Sequence, residues 1–175
     1  VGIFSADRYV ASLDLVDVGE LRSWGVRLVL LDRDNTCVPR GAEVAPEGVH
    51  AWFSRARSAG LEICLVSNNF HAREVRLSAD ELGCDAIAHA MKPAPIAVWR
   101  ALALEGVPAE QTVLIGDQVF TDVVAANLAG VRTILVHPQT RHDLWYTQLL
   151  RLVEEPILRD AHFEGEGDSQ SQARP

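Results

Sequence analysis

Short apolar runs recur along this chain, separated by longer amphipathic stretches. Leu28-Val29-Leu30-Leu31, Leu61 to Val66, Val113-Leu114-Ile115 and Thr133 to Val136 are apolar or β-branched runs of strand length. Runs of this kind, bounded by Gly or Asp, predict buried strands, here over 28–32, 61–66, 113–116 and 132–136, with a weaker strand over 85–88. The stretches between them predict helices over 46–58, 70–82, 94–105 and 121–129. Gly60, Gly83 and Gly130 stand between a helix-like segment and the next run, where a left-handed residue closes a helix. Gly106 ends another helix and leads into the connector 107–112. Pro46 and Pro93 stand where a first-turn proline is tolerated, because that N–H has no helical partner. Strands alternating with helices of this length read as βαβ units. The expected fold is a three-layer α/β/α sandwich, Rossmann-like, around a mainly parallel five-stranded sheet. Right-handed crossovers then bring every strand's carboxyl end to one rim.

Residues 1–27 form a lead-in with apolar contacts at Tyr9, Val10, Leu13, Leu15, Val16 and Leu21, expected to pack on the sheet or its edge. A further amphipathic stretch, 142–154, carries Leu144, Trp145, Leu149, Leu152 and Val153. Trp145, Tyr146, Leu149 and Leu150 are expected against the sheet edge, the competing reading being a membrane interface or a partner. The chain thus reads as one domain over 1–163, followed by a polar, disordered tail over 164–175.

Composition narrows the function classes. A formal charge of −8 disfavours broad attraction to nucleic acid, although a metal and a few local cations can still hold phosphate. Cys37, Cys64 and Cys84 are odd in number and form no CxxC pair, which argues against a disulfide scaffold or zinc ribbon. No apolar stretch approaches the length of a bilayer span, and the amino-terminal residues lack a signal-peptide pattern. A cytoplasmic location is the expectation, with membrane contact at most peripheral. The first residue is Val1 rather than Met.

The strand ends carry the chemistry. Leu28–Leu31 runs into Asp32-Arg33-Asp34-Asn35-Thr36, so two carboxylates emerge together at the edge where open α/β sheets bind ligands. Asp117 and Asp122 follow the run ending at Gly116. Carboxylates gathered in this way repel one another, and a divalent cation is the natural compensation. Asp32 can attack phosphorus and form an acyl phosphate. Asp34 can protonate the leaving oxygen and then deprotonate water. Ser67, with a backbone N–H near Asn68, can hold phosphate oxygens, and Lys92 offers a fixed positive charge. Asp32 and Asp117 would hold Mg²⁺, and Thr36 would brace the turn.

Asp32-x-Asp34-x-Thr36, Ser67, Lys92-Pro93 and Gly116-Asp117-x-x-x-Thr121-Asp122 resemble, in order, the four motifs of the haloacid dehalogenase-like (HAD) phosphohydrolases. Asp34-Asn35-Thr36, Val66-Ser67-Asn68-Asn69, Lys92-Pro93 and Ile115 through Asp122 resemble the YqeG-type branch, which is related to mitochondrial phosphatidylglycerophosphate phosphatases. The resemblance spans about residues 9–158. It implies Asp32 as nucleophile, Asp34 as acid/base, and Mg²⁺ held by Asp32, the Asp34 main-chain carbonyl and Asp117, with Asp122 in support. Ser67, Asn68 and Thr36 are the substrate-binding candidates. The short spacings between motifs imply an enzyme without a cap domain, whose exposed site suits a large substrate. Two departures stand out: Arg33 replaces the usual apolar residue, and Glu155-Pro156 stand where basic residues are usual.

Competing readings fare worse. A calcium loop starting at Asp32 would need Gly where Cys37 stands. A cysteine phosphatase would need its Arg farther from Cys37 than Arg40. The acids could be solvated turn formers, and Arg73 and Arg76 read more readily as solvent-facing residues than as substrate contacts. His71 and His137 fall near strand ends without metal-ligand spacing. A receiver-like regulatory module would need no counterpart of Asp34, and an idle scaffold would have no reason to keep four carboxylates together. The expectation is a Mg²⁺-dependent phosphomonoester hydrolase. Phosphatidylglycerophosphate is its first candidate substrate by resemblance, and a nucleotide or sugar phosphate follows closely.

Overall fold

The computed structural model describes residues 2–140, 156, 158, 159 and 161–165. Among them, six strands form one wholly parallel sheet in the order β1-β6-β5-β2-β3-β4. These are β1 (Arg8–Val10), β2 (Leu28–Leu31), β3 (Glu62–Val66), β4 (Asp85–Ile87), β5 (Thr112–Gly116) and β6 (Arg132–Val136). The five expected strands are present, and the strand count is corrected to six. The addition, β1, comes from the lead-in and pairs Arg8 with Ile134 and Val10 with Val136. Three residues are too few to show a strand period, and its partner lies far along the chain.

The central strands bury both faces, as parallel sheets covered by helices do. Val29, Leu31, Ile63, Leu65, Val113 and Ile115 point to one side, where Trp52 and Phe53 fill the core. Those two rings belong to α2 (Glu47–Ser58), whose buried stripe Val49, Trp52, Phe53 and Ala56 has helical spacing. The Trp52 indole N–H donates to the Val16 carbonyl at 2.9 Å, which ties α2 to the lead-in. The lead-in also holds α1 (Val18–Ser23), capped by the Asp17 carboxylate. Ala79 and Leu82 of α3 (Ala72–Leu82) join the same core. Leu28, Leu30, Cys64, Val66 and Leu114 face the other side, against small residues of α4 (Ile96–Glu105) and α5 (Val124–Ala129).

Helix starts shift from the sequence reading: α2 begins at Glu47 rather than 46, α3 at Ala72 rather than 70, and the last two helices differ further in kind. The helix expected from 94 begins at Ile96, with Pro95 at its cap. Helical conformation is disfavoured for a residue before proline, which moves the start past Ala94; the Lys92–Pro93 peptide is cis. The helix expected over 121–129 opens with a wide π-type turn, Val119–Val123, before α5. The helix stops agree with expectation: Gly83 and Gly130 end α3 and α5 at φ 67° and 72°.

The stretch 142–154 lies outside the described residues. Farther on, Glu164 exchanges main-chain hydrogen bonds with Tyr9 and Ala11, and Phe163 packs between Tyr9 and His137. Among the described residues, no helix is long and apolar enough to cross a membrane.

The chain runs outward from β2 through β3 to β4, then returns to the other side of β2 at β5. The reversal of strand order between β2 and β5 opens a crevice at their carboxyl ends. Both acidic motifs begin there.

Candidate active site

The crevice is built from strand ends in register. Leu31 pairs with Ile115, and the Asp32 N–H donates to the Ile115 carbonyl at 2.9 Å. Asp32 therefore sits beside the end of β5, from which Asp117 emerges one residue after Gly116. Beyond Asp32 the chain folds back on itself, with the N–H groups of Cys37 and Val38 both donating to the Arg33 carbonyl. Asn35 adopts φ 66°, a left-handed conformation that Asn tolerates better than most residues. Its side-chain oxygen accepts from the Arg40 N–H at 3.0 Å and the Thr140 hydroxyl at 2.6 Å. Gln139 adds a bond from its side-chain amide to the Thr36 carbonyl at 2.9 Å.

The bracing role expected of the Thr36 side chain is therefore corrected. Among the described residues its buried hydroxyl has no hydrogen-bond partner, and Asn35 and Gln139 brace the turn instead. The Thr36 main-chain carbonyl serves the turn while its hydroxyl does not.

Lys92 reaches the crevice from the loop after β4, with its side chain 1% exposed. Its Nζ donates to Asp32 Oδ1 at 2.8 Å and to Asp122 Oδ1 at 2.6 Å. Asp122 Oδ2 accepts from the Gln118 N–H at 3.1 Å, within the π-type turn. Asp32, Asp117 and Asp122 each bring a carboxylate oxygen within 4.8 Å of the others, and all three residues are buried. Burial pushes the Asp32 carboxyl up to about 7, against the pull of Lys92, and the charges of Asp122 and Asp34 add to the rise. Burial works against the Lys92 ammonium too, yet Asp122 and Asp32 outweigh it and hold the lysine above its usual range.

This donor set fits a divalent cation. Three buried carboxylates stand together among the described residues, and hard oxygen ligands at this spacing suit Mg²⁺-like ions. Asp122 was expected only as a support, and here its carboxylate brings an oxygen within 4.8 Å of both of the others.

Asp34 stands apart from that cluster. Its Oδ1 lies 2.5 Å from the Arg33 guanidinium, and its Oδ2 accepts from the Asn69 side-chain amide at 3.3 Å. Arg33 is buried, and its Nε donates to the Ser78 hydroxyl of α3 at 2.9 Å. The arginine thus enters the packed layer and also pairs with a carboxylate.

Ser67 is fully buried, and its Oγ accepts from the Asn69 N–H at 3.1 Å. The side chain of Asn68 bonds the main chain of Lys92 at both of its polar atoms. Sequence reasoning left Asn69 without a task, although its place beside Ser67 and Asn68 was visible.

A cleft of about 850 Å³ opens on Asp32, Asp34, Asn68 and Lys92. Its walls also include Arg40, Glu43, Phe70, His71, Arg73 and Glu74. Arg73 is exposed, as the sequence reading had it, and also lines the cleft. His137 stacks on Phe163 with ring centroids 3.8 Å apart. Cys37 is buried, and burial raises its thiol well above the normal range, so it stays protonated beside the site.

Comparison with known proteins fits this geometry. Residues 89–144 match the HAD-hydrolase-like family. The "Probable phosphatase YqeG" of Bacillus subtilis (strain 168) is 34% identical over 167 residues, covering 93% of this chain and 96% of that protein. The chain belongs to the HAD-like phosphatases, in their YqeG-type branch. Phosphatidylglycerophosphate phosphatase 1, chloroplastic, of Chlamydomonas reinhardtii is 29% identical to this phosphatase over 133 residues, covering 71% of this chain and 49% of that protein. The cobalt-bound deoxy-D-mannose-octulosonate 8-phosphate phosphatase of Haemophilus influenzae shares the fold. Its TM-score is 0.50 at 16% identity, over 78% of this chain and 89% of that one.

Proposed function

We propose that this phosphatase hydrolyses phosphomonoesters with Mg²⁺ through a phosphoaspartate at Asp32. The gathering of Asp32, Asp117 and Asp122 at the reversal point of the sheet, with Lys92 bonded to Asp32 and Asp122, carries this reading. A carboxylate oxygen of Asp32 attacks phosphorus as the bond to the ester oxygen breaks. Asp34 donates its proton to the departing alkoxide. Asp34 then takes a proton from water, whose oxygen attacks the phosphoaspartate, releasing phosphate and restoring the Asp32 carboxylate. Lys92 pulls the Asp32 carboxyl toward its ionised form, against the burial that raises it, and opposes charge gathering on the phosphoryl oxygens. Asp32, Asp117 and the Asp34 main-chain carbonyl are the proposed ligands of Mg²⁺, with Asp122 beside them. The bound ion supplies Lewis-acid neutralisation of the phosphoryl group. Ser67 and the Asn68 N–H are the proposed phosphate contacts.

The cleft is far larger than a phosphate group and has no cap among its described walls, which supports a bulky ester. Phe70 at 78% and Leu77 at 56% exposure give it an apolar wall, suited to an acyl or other hydrophobic portion. The name of the algal relative makes phosphatidylglycerophosphate the first substrate to try. Glu43 and Glu74 on the cleft, with the net charge of −8, favour a second reading, a soluble sugar or nucleotide phosphate approached without an anionic membrane.

The test is a hydrolysis screen over lipid, sugar and nucleotide phosphates with and without Mg²⁺. Mg²⁺-dependent phosphate release, greatest for a lipid phosphate, is the expected result. Equal release without a divalent ion contradicts the mechanism, and a marked preference for soluble esters selects the second reading.

A further inference from the structure

The geometry points to Asn68 as the positioning residue for Lys92, a role that rests on the catalytic reading of Lys92 above. One side chain satisfies both main-chain groups of the lysine. Asn68 Nδ2 donates to the Lys92 carbonyl at 2.9 Å, and the Lys92 N–H donates to Asn68 Oδ1 at 2.7 Å. This mimics the paired bonds of a strand neighbour at a point where strand pairing has already ended.

The loop between β4 and α4 needs such support. His89 and Met91 adopt φ 53° and 56°, conformations that residues with a Cβ adopt at a cost and keep only when their surroundings enforce them. The turn after β3 provides that enforcement one bond at a time. The Ala90 N–H donates to the Ser67 carbonyl at 2.9 Å, and the Asn68 amide continues the ladder to Lys92. Asn68 thereby fixes the main chain on both sides of the Lys92 Cα. The lysine stem then leads to Asp32 Oδ1 and Asp122 Oδ1, and the bonds at 2.8 and 2.6 Å join buried side chains. A flexible lysine gains this accuracy from its anchored backbone, because its own stem has four rotatable bonds.

The sequence alone placed Asn68 on the substrate. With both polar ends of its side chain engaged by Lys92, a contact to phosphate falls to its main-chain N–H. The side chain acts on the reaction through the lysine.

A double-mutant cycle separates this role from a general structural one. Asn68→Ala, Lys92→Ala and the double variant are compared as full-length protein on p-nitrophenyl phosphate with Mg²⁺, each below its own melting temperature. Misplacing a catalytic group by about 1 Å costs on the order of 10²-fold, so Asn68→Ala is expected to lower kcat by roughly 10- to 100-fold, with KM nearly unchanged. The double variant is expected to be no slower than Lys92→Ala. Asn68→Asp keeps the acceptor and loses the donor, and a fall in its kcat is expected even where the alanine variant folds poorly. Full kcat in Asn68→Asp, a change confined to KM, or losses that multiply in the double variant overturn the positioning role. Full activity in Lys92→Ala would instead overturn the catalytic reading of the lysine and the positioning role with it.

Discussion

Gly116 and Asp122 touch so closely that a methyl group on the glycine would lie 2.3 Å from the aspartate carboxyl. The main chain at the end of β5 thus forms the wall against which Asp122 is pressed toward Lys92. Gly116→Ala must displace Asp122, whose Cβ is itself only 2.6 Å from the added atom, so a simple rotamer change does not relieve the clash. The expected cost is about 1–3 kcal/mol of stability, as for other overpacked sites. Thermal melts and aryl phosphatase assays of the variant check this. An unchanged melting temperature with full activity would show that Asp122 has other room.

The acidic cluster sets the response to metal. A cation that binds the folded chain alone stabilises it by mass action, about 2.7 kcal/mol at a concentration of 100 Kd. For a chain of this size that corresponds to a rise of roughly 5–10 °C in Tm. Calorimetry with and without Mg²⁺ should show the rise in the native protein and its loss in Asp117→Ala.

Asp34 should separate the two chemical steps. Asp34→Asn is expected to slow turnover by roughly 10²- to 10⁴-fold, the usual contribution of a general acid or base. An aryl phosphate, whose leaving group needs little protonation, should still phosphorylate the variant. A burst of phenol release followed by a slow steady state is the expected trace. A proportional loss with no burst would place Asp34 elsewhere in the reaction.

The buried Cys37 and the half-buried Cys84 set an alkaline limit. Burial raises Cys84 to about 12, and Cys37 is also raised, against an ordinary value of 9.0. The folded chain keeps these protons where the unfolded chain loses them. The stabilising effect of Cys84 is therefore fully present below about pH 9 and declines as pH rises from there toward about 12. Urea titrations at pH 8 and pH 10.5 should give a lower midpoint at the higher pH, with a smaller difference in Cys84→Ser. No change in that difference would remove Cys84 as a contributor.

Much of the site was legible because each motif is local. Asp32, Lys92, Asp117 and Asp122 each sit at or just after the carboxyl end of a strand or its loop, and a parallel sheet brings such ends together. What escaped the sequence depends on pairings between distant segments. β1 exists through β6, and Arg33 meets Ser78 because α3 covers that end of the sheet. Thr36 was read as its own brace, whereas Gln139, from beyond β6, reaches its carbonyl. Asn68 and Asn69 were visible as amides, but their targets Lys92 and Asp34 are set by the tertiary fold.

The central claim is tested most directly by Asp32→Asn. The substitution keeps the shape of the side chain and removes its nucleophilic charge, and thermal melting establishes that the variant is folded. Turnover of p-nitrophenyl phosphate with Mg²⁺ is expected to fall by at least about 10³-fold, because a missing nucleophile is poorly replaced by what remains of a site. Retention of near-native turnover by the folded variant would contradict the mechanism.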